Sequence, residues 1–247
     1  MVAIMDMDRP IMRAGATDPE LTLKQDIVRR SPFATLMGAS RAALLELARL
    51  DRFPRQHRLL EQGEPTQALF LLGAGRVKVE RVTGARIFPL GHRGPGQIIG
   101  ESACAGATTA TESASVVDEV EAVTLPLDGL QRLLLADPQV RFAMTTALAQ
   151  QHHATEDRLA SLLLDGVEAR LVGFLLDAVQ RWGKRHSGGE TITASFTHAD
   201  VAVLIGSTRE TVTLLLGKLK RSGLIAFDRR RVIIPDRAAL ASHGASA

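Results

Sequence analysis

Arg209, Glu210, Thr213 and Leu214 fall at the spacing of one helical face, and each suits a different contact to DNA. A guanidinium can donate twice to guanine O6 and N7, a carboxylate can accept from cytosine N4, and an aliphatic side chain can pack on a thymine methyl. Thr213 and Lys218 suit backbone phosphate, which positions a protein without specifying sequence. Ser207 and Thr208 stand just ahead of this face. Ser207 and Glu210 have the S-x-x-E spacing of a capping box, which predicts that Ser207 caps the helix and Glu210 answers it. Arg229, Arg230 and Arg231 form a second cationic cluster, placed at a turn where phosphate contact is plausible chemistry.

These side chains need elements to hold them. Val212, Leu215, Leu216 and Leu219 recur at helical spacing and make the stripe that must be buried. A shorter helix is expected over Ala199–Ile205, with Gly206 supplying the turn between the two. Helix, turn, helix and short basic hairpin is the order of a helix-turn-helix, whose second helix enters a major groove. Residues 198–237 hold eight Lys or Arg against four Asp or Glu, a local net of +4, while the whole chain has a formal net charge of +3. Basicity confined to one unit is an electrostatic footprint for phosphate. An ordinary pair of packed surface helices with a solvated turn stays open on spacing alone.

The motif G-S-T-R-E-T-V at 206–212, with L-K-R-S-G-L-I at 219–225 and the hairpin after it, resembles the winged helix-turn-helix of the cyclic-AMP receptor protein and fumarate-nitrate regulator superfamily. Residues 59–82 resemble that family's effector-domain beta roll, and Gly94–Ser102 its glycine-bearing hinge strand. The resemblance runs from about Phe33 to Pro235. It implies a homodimeric transcription factor, modulated by an effector, that binds palindromic double-stranded DNA and can meet RNA polymerase. The family's namesake follows its R-E-T-V with Gly and Arg, where this chain has Thr213 and Leu214. A second arginine base reader is therefore missing, and the expected half-site differs.

The effector end departs further. Gly100 and Glu101 match the family's G-E pair, yet no Lys or Arg occurs between Arg93 and Arg132. A buried phosphate facing Glu112, Asp118, Glu119 and Glu121 without a cation would be poorly compensated, so control by cyclic AMP is not expected. Cys104 lies where the resemblance to the family's carbon-monoxide-sensing branch would place a thiolate ligand to haem, though that branch's histidine has no counterpart. His92 and His57 are alternatives from other strands. Cys104 as a redox switch and Cys104 as a small buried hydrophobe both stay open. No cofactor is otherwise expected, and no metal site: His152 and His153 are adjacent on a helix and diverge.

The elements between these ends fit an α+β chain of 247 residues. Residues 1–30 read as a flexible extension, and 31–136 as a beta-roll sensor of short apolar runs separated by Gly, Pro and Asp. Residues 137–164 read as a long helix opened by Asp137-Pro138, and 165–247 as the DNA-binding domain with a short tail, with a polar loop over Lys184–Glu190. On the long helix, Val140, Met144, Ala147, Gln151, Ala154 and Arg158 alternate at three and four residues, a spacing that suits a coiled-coil seam but is polar at Gln151 and Arg158, and the resemblance places the dimer axis here. No apolar run reaches membrane-spanning length, and Asp6, Asp8 and Arg9 argue against a signal peptide, so a cytoplasmic location is expected. No nucleophile, base and orienter stand at a catalytic spacing, which disfavours an enzyme. A protein-interaction scaffold that keeps the winged fold without reading DNA is the other rival.

Overall fold

The computed structural model describes residues 18–186, 188–229 and 231–246. The chain is α+β. Its first strands form an antiparallel roll in the order β1 (Arg49–Phe53), β6 (Ser113–Pro126), β3 (Ala68–Thr83), β4 (Arg86–Arg93), with β2 (Arg58–Leu60) on β6 and β5 (Ile98–Ile99) on β3. Strand β3 is 16 residues long, and its pairing with β6 shifts register three times between Leu72 and Val77. One apolar cluster, including Phe70, Leu72, Val77 and Val120, fills the roll. A second lies between the sheet and helices α1 (Pro19–Arg30), α2 (Gly38–Leu47), α3 (Leu127–Ala136) and α4 (Pro138–Leu164).

Two expectations for this half change. Of the extension predicted to be flexible, residues 1–17 lie outside the described residues, but residues 19–30 form α1. Asp18 caps it through the backbone N–H of Glu20 at 3.0 Å, and Ile27 and Val28 are buried. Burying such side chains contributes roughly 1.5–3 kcal/mol each, enough to hold a short helix that periodicity does not announce. The second change concerns α4. Asp137 caps it by accepting from Gln139 and Val140, with Pro138 at the first helical position. Yet Val140, Met144 and Ala147 are buried in their own subunit, packed with Leu44, Leu69 and Leu130. That stripe packs into the core between the roll and its helices and is not open to a partner. Ala154 is exposed, while Gln151 and Arg158 turn to partners within the chain.

The C-terminal half is built on α5 (Val167–Trp182). Helices α6 (His198–Leu204), α7 (Arg209–Arg221) and α8 (Arg237–Ala245) pack with it around Leu171, Leu175, Val212, Leu219 and Leu240. A four-stranded antiparallel sheet, in the order β7 (Gly183–His186), β8 (Gly189–Ile192), β10 (Arg231–Ile234), β9 (Ala226–Asp228), closes this unit. Residues expected as a polar loop are therefore the β7–β8 hairpin, which joins the basic hairpin through Ile233 opposite Thr191 and Ile234 opposite Glu190. Its hydrophilic sequence hides a strand pair whose stability comes from β10. No helix among the described residues is long and apolar enough to cross a membrane.

Candidate nucleic-acid interface

The turn between α6 and α7 is set by backbone geometry. Gly206 sits at φ +61°. Its N–H bonds to Val203 O at 3.3 Å, and the N–H of Ser207 bonds to Ala202 O at 2.8 Å. This pair of bonds ends α6 in a left-handed cap. Ser207 is thereby engaged in closing the first helix. The cap of α7 is Thr208, whose Oγ1 accepts from Thr211 N at 3.2 Å. The expected Ser207–Glu210 box is corrected on this point: the helix begins one residue later, which puts Thr211 and not Glu210 at the third position. A capping box exists instead on α6, where Thr197 and Asp200 exchange bonds of 3.0 Å.

Val212, Leu215, Leu216 and Leu219 are buried, while Arg209, Glu210, Thr213 and Leu214 face outward. Leu214 is 66% exposed, a high value for an aliphatic residue beside an arginine. The Thr213 hydroxyl donates to Arg209 O at 2.9 Å and sits 2.8 Å from His198 Nδ1. Its single proton is thus committed, leaving His198 as the donor in that contact. Sequence reasoning gave His198 no part in this face. Lys218 also differs from expectation: its Nζ lies 2.6 Å from Glu168 Oε2, and His243 Nε2 lies 2.8 Å from Glu168 Oε1. Lys218 and His243 hold the Glu168 carboxyl below its ordinary range. Phosphate would have to compete with Glu168 for this lysine.

In the basic hairpin, Asp228 pairs with Arg231 and Phe227 with Val232. Arg229, at φ +53°, stands in the tight loop between them, exposed, as is Arg231. Two-residue hairpin loops favour positive φ and hence Gly or Asn. An arginine there keeps a cation where a smaller residue would fold at less cost. Arg230 lies outside the described residues.

At the other end, Gly100 adopts φ +94°, and a Cβ there would lie 2.6 Å from Ala68 O. The loop continues as a short 3-10 helix over Glu101–Ala105. Glu101 is buried; its Oε1 accepts from Gln151 of α4, and its Oε2 has no partner among the described residues. Burial first, and Glu101 second, push the Cys104 thiol up to about 11. A thiol so placed is poorly suited to be a thiolate ligand or a redox nucleophile. His57 is 5.1 Å from Phe53 and His92 is 5.3 Å from Phe196, ring to ring. The loop itself holds no Lys or Arg, but neighbouring strands bring cations to it. Arg81 and Arg93 reach Glu112 electrostatically from β3 and β4, opposing the upward push of burial and Glu101. Arg81 is additionally bonded to Thr111 O at 3.2 Å.

Residues 50–137 match the cyclic nucleotide-binding domain model, and residues 169–243 the Crp-like helix-turn-helix domain model. The chain is 30% identical over 216 residues to a CRP-like cAMP-activated global transcriptional regulator of Mycobacterium tuberculosis, covering 87% of this chain and 96% of that one. It is 28% identical to the global nitrogen regulator of Synechococcus elongatus, over 77% of this chain and 87% of that one. Among solved structures it is similar to a CRP-family transcriptional regulator from Thermus thermophilus, with a TM-score of 0.66 and 29% identity, covering 80% and 97% of the two chains.

Proposed function

Because the chain belongs to the cyclic-AMP receptor protein and fumarate-nitrate regulator superfamily of DNA-binding transcription regulators, we propose that it reads a palindromic operator as a homodimer, with Arg209 on a guanine and Leu214 on a thymine methyl. One observation carries this reading. Helix α7 buries its apolar stripe and leaves Arg209 and Leu214 uncovered toward its N-terminal end, the end that meets base edges in a helix-turn-helix complex. Arg229 and Arg231 add phosphate contact from the hairpin. Selection of duplexes from a randomised pool, followed by titration against single-base variants, tests it. Recovery of a two-fold symmetric site supports the reading, and binding that ignores sequence overturns it.

The dimer seam is assigned to the outer face of α4. Phe142, Ala149, Glu156 and Leu163 are spaced by sevens, as are Thr145, His152 and Leu159, and all are exposed. This is the heptad spacing of a two-helix contact, and Phe142 and Leu163 are 73% and 74% exposed in the single subunit. Leu159→Glu is expected to shift the sedimentation coefficient toward monomer at micromolar concentration.

Cyclic AMP is proposed not to be the effector, although the Mycobacterium tuberculosis relative is described as activated by it. The loop supplies carboxylates, one of them buried with no cation beside it and one oxygen without a partner among the described residues, and its nearest cations already face Glu112 or Thr111. Calorimetric titration with cyclic AMP tests this; saturable micromolar binding would overturn it. Haem is assigned no place, and absence of Soret absorbance in freshly purified protein is the expected result. Action in the cytoplasm and contact with RNA polymerase follow from the regulator reading.

A further inference from the structure

The sensor roll and the DNA-binding unit meet through a specific set of side chains. Arg76 of β3 is 4% exposed. Its Nε lies 3.1 Å from Asp118 Oδ2 of β6, an ion pair. Its guanidinium carbon lies 4.5 Å from the ring centroid of Phe196, the residue just before the α6 cap. Phe196 in turn sits edge-on to His92 of β4 at 5.3 Å and to Phe174 of α5 at 5.1 Å. Trp182, at the end of α5, donates from Nε1 to Gly75 O at 3.3 Å. A Cβ at Gly94 would be 2.7 Å from the Trp182 ring, so only glycine admits that approach. Arg158 makes the most direct crossing: it donates to Leu90 O of β4 and, at 3.2 Å, to Leu204 O in the last turn of α6.

We propose that Arg158 and the Arg76–Phe196 stack are positioning residues that fix the direction of the reading helix relative to α4, and thereby the half-site spacing that the dimer accepts. The inference rests on the dimeric DNA-reading function proposed above. Its physical basis is that both contacts are rigid. A planar guanidinium bonded to two carbonyls from different domains sets their separation and mutual angle at once. A desolvated cation over an aromatic face adds a second fixed point. The latched arrangement leaves Arg209 and Leu214 uncovered, so it orients the reading face and does not mask it.

The charged surroundings agree. Asp200, which answers Thr197 in the α6 capping box, acts electrostatically on Arg76, His92 and Lys78, and Asp118 acts on Arg76 and His92. His92 is held neutral, its pKa lowered to about 4 by burial and by Arg76. His92 therefore adds no positive charge beside the Phe196 ring near neutral pH.

Inserting or deleting one base pair between half-sites moves them by about 3.4 Å and rotates them by about 35°. A rigid dimer should resist this and a loosened one should not. The experiment uses full-length protein, a duplex selected from a randomised pool by the unaltered chain, and versions lengthened or shortened by one central base pair. The unaltered protein is expected to lose at least ~10-fold in affinity on the altered spacings, as one strained half-site contact set would require. Arg158→Met and Phe196→Leu should reduce that discrimination to within ~3-fold while non-specific duplex binding is unchanged. A variant that fails to fold would lose non-specific binding too, and Phe196→Leu, which keeps apolar volume, then carries the test. If no duplex is selected, the DNA-reading function falls. If the unaltered protein is indifferent to spacing, if both variants stay selective, or if either binds the selected duplex more tightly, the positioning role falls.

Discussion

Arg209 and Arg229 stand exposed at the working edge of the DNA-binding unit, whereas Glu101 is buried behind Gln151 in the effector loop, next to a Cys104 thiol pushed up to about 11. The first region keeps its charges available, even at the cost of a left-handed arginine. The second buries Glu101, ties it to the long helix and half-buries Cys104. The contrast separates charge left open to a partner from charge closed away from one. A cation in water can exchange counterions for phosphate, while a buried carboxylate can only be compensated or neutralised.

Four outcomes would break or sharpen this contrast. The largest concerns Cys104. With its thiol pushed to about 11, alkylation by iodoacetamide at pH 8 should be roughly 100-fold slower than for an unperturbed cysteine; a normal rate would return the loop to the class of reactive surfaces. Next, Arg209→Ala should lower operator affinity by about 1–3 kcal/mol and relax preference at one base pair, as read by titrating single-base variants. Arg229→Asn should reduce the salt slope of DNA binding by about one, while thermal stability is unchanged or rises slightly because Asn tolerates the left-handed loop. Lys218→Ala should change that slope by clearly less than one, since its charge is already met by Glu168. A full unit of change would move Lys218 back among the phosphate contacts.

Acid pH gives a further handle on the domain junction. His92 has a folded pKa of about 4 against an ordinary value of 6.5. Between those values the unfolded chain binds more protons than the folded one, so stability falls as pH drops through that window. Burial is the main cause of the shift, Arg76 and Lys78 add to it, and Asp200 and Asp118 oppose it. Substituting His92 by Phe is expected to flatten the thermal stability profile between pH 6.5 and 4.

Much of the reading head could be seen in the chain because its signals are local. The stripe Val212, Leu215, Leu216 and Leu219 is a period, and Gly206 is a turn that needs no distant partner. The misplacement of the cap shows the limit: Ser207 and Thr208 are adjacent hydroxyl residues, and only the backbone bonds of Ser207 to α6 decide between them. The long helix was harder. It carries apolar residues on opposite sides, and spacing cannot tell the side facing Leu69 and Leu130 from the side facing solvent. Glu112 meeting Arg81 and Arg93, and Arg76 meeting Phe196, depend on strand register and domain packing. No local pattern encodes such pairs.

The irregular stretch of β3 between Leu72 and Val77 has one further consequence, for how the chain tolerates insertions and deletions. Gly75 and Arg76 lie inside it, and side chains alternate faces along a strand. Losing or gaining one residue there would turn the Arg76 guanidinium to the opposite face and withdraw it from Phe196. A residue added beside Gly84, at the β3–β4 tip where a Cβ meets nothing within 4 Å, would leave that stack untouched. Length variation in this hairpin belongs at its tip, and the segment around Arg76 must be inherited at fixed length.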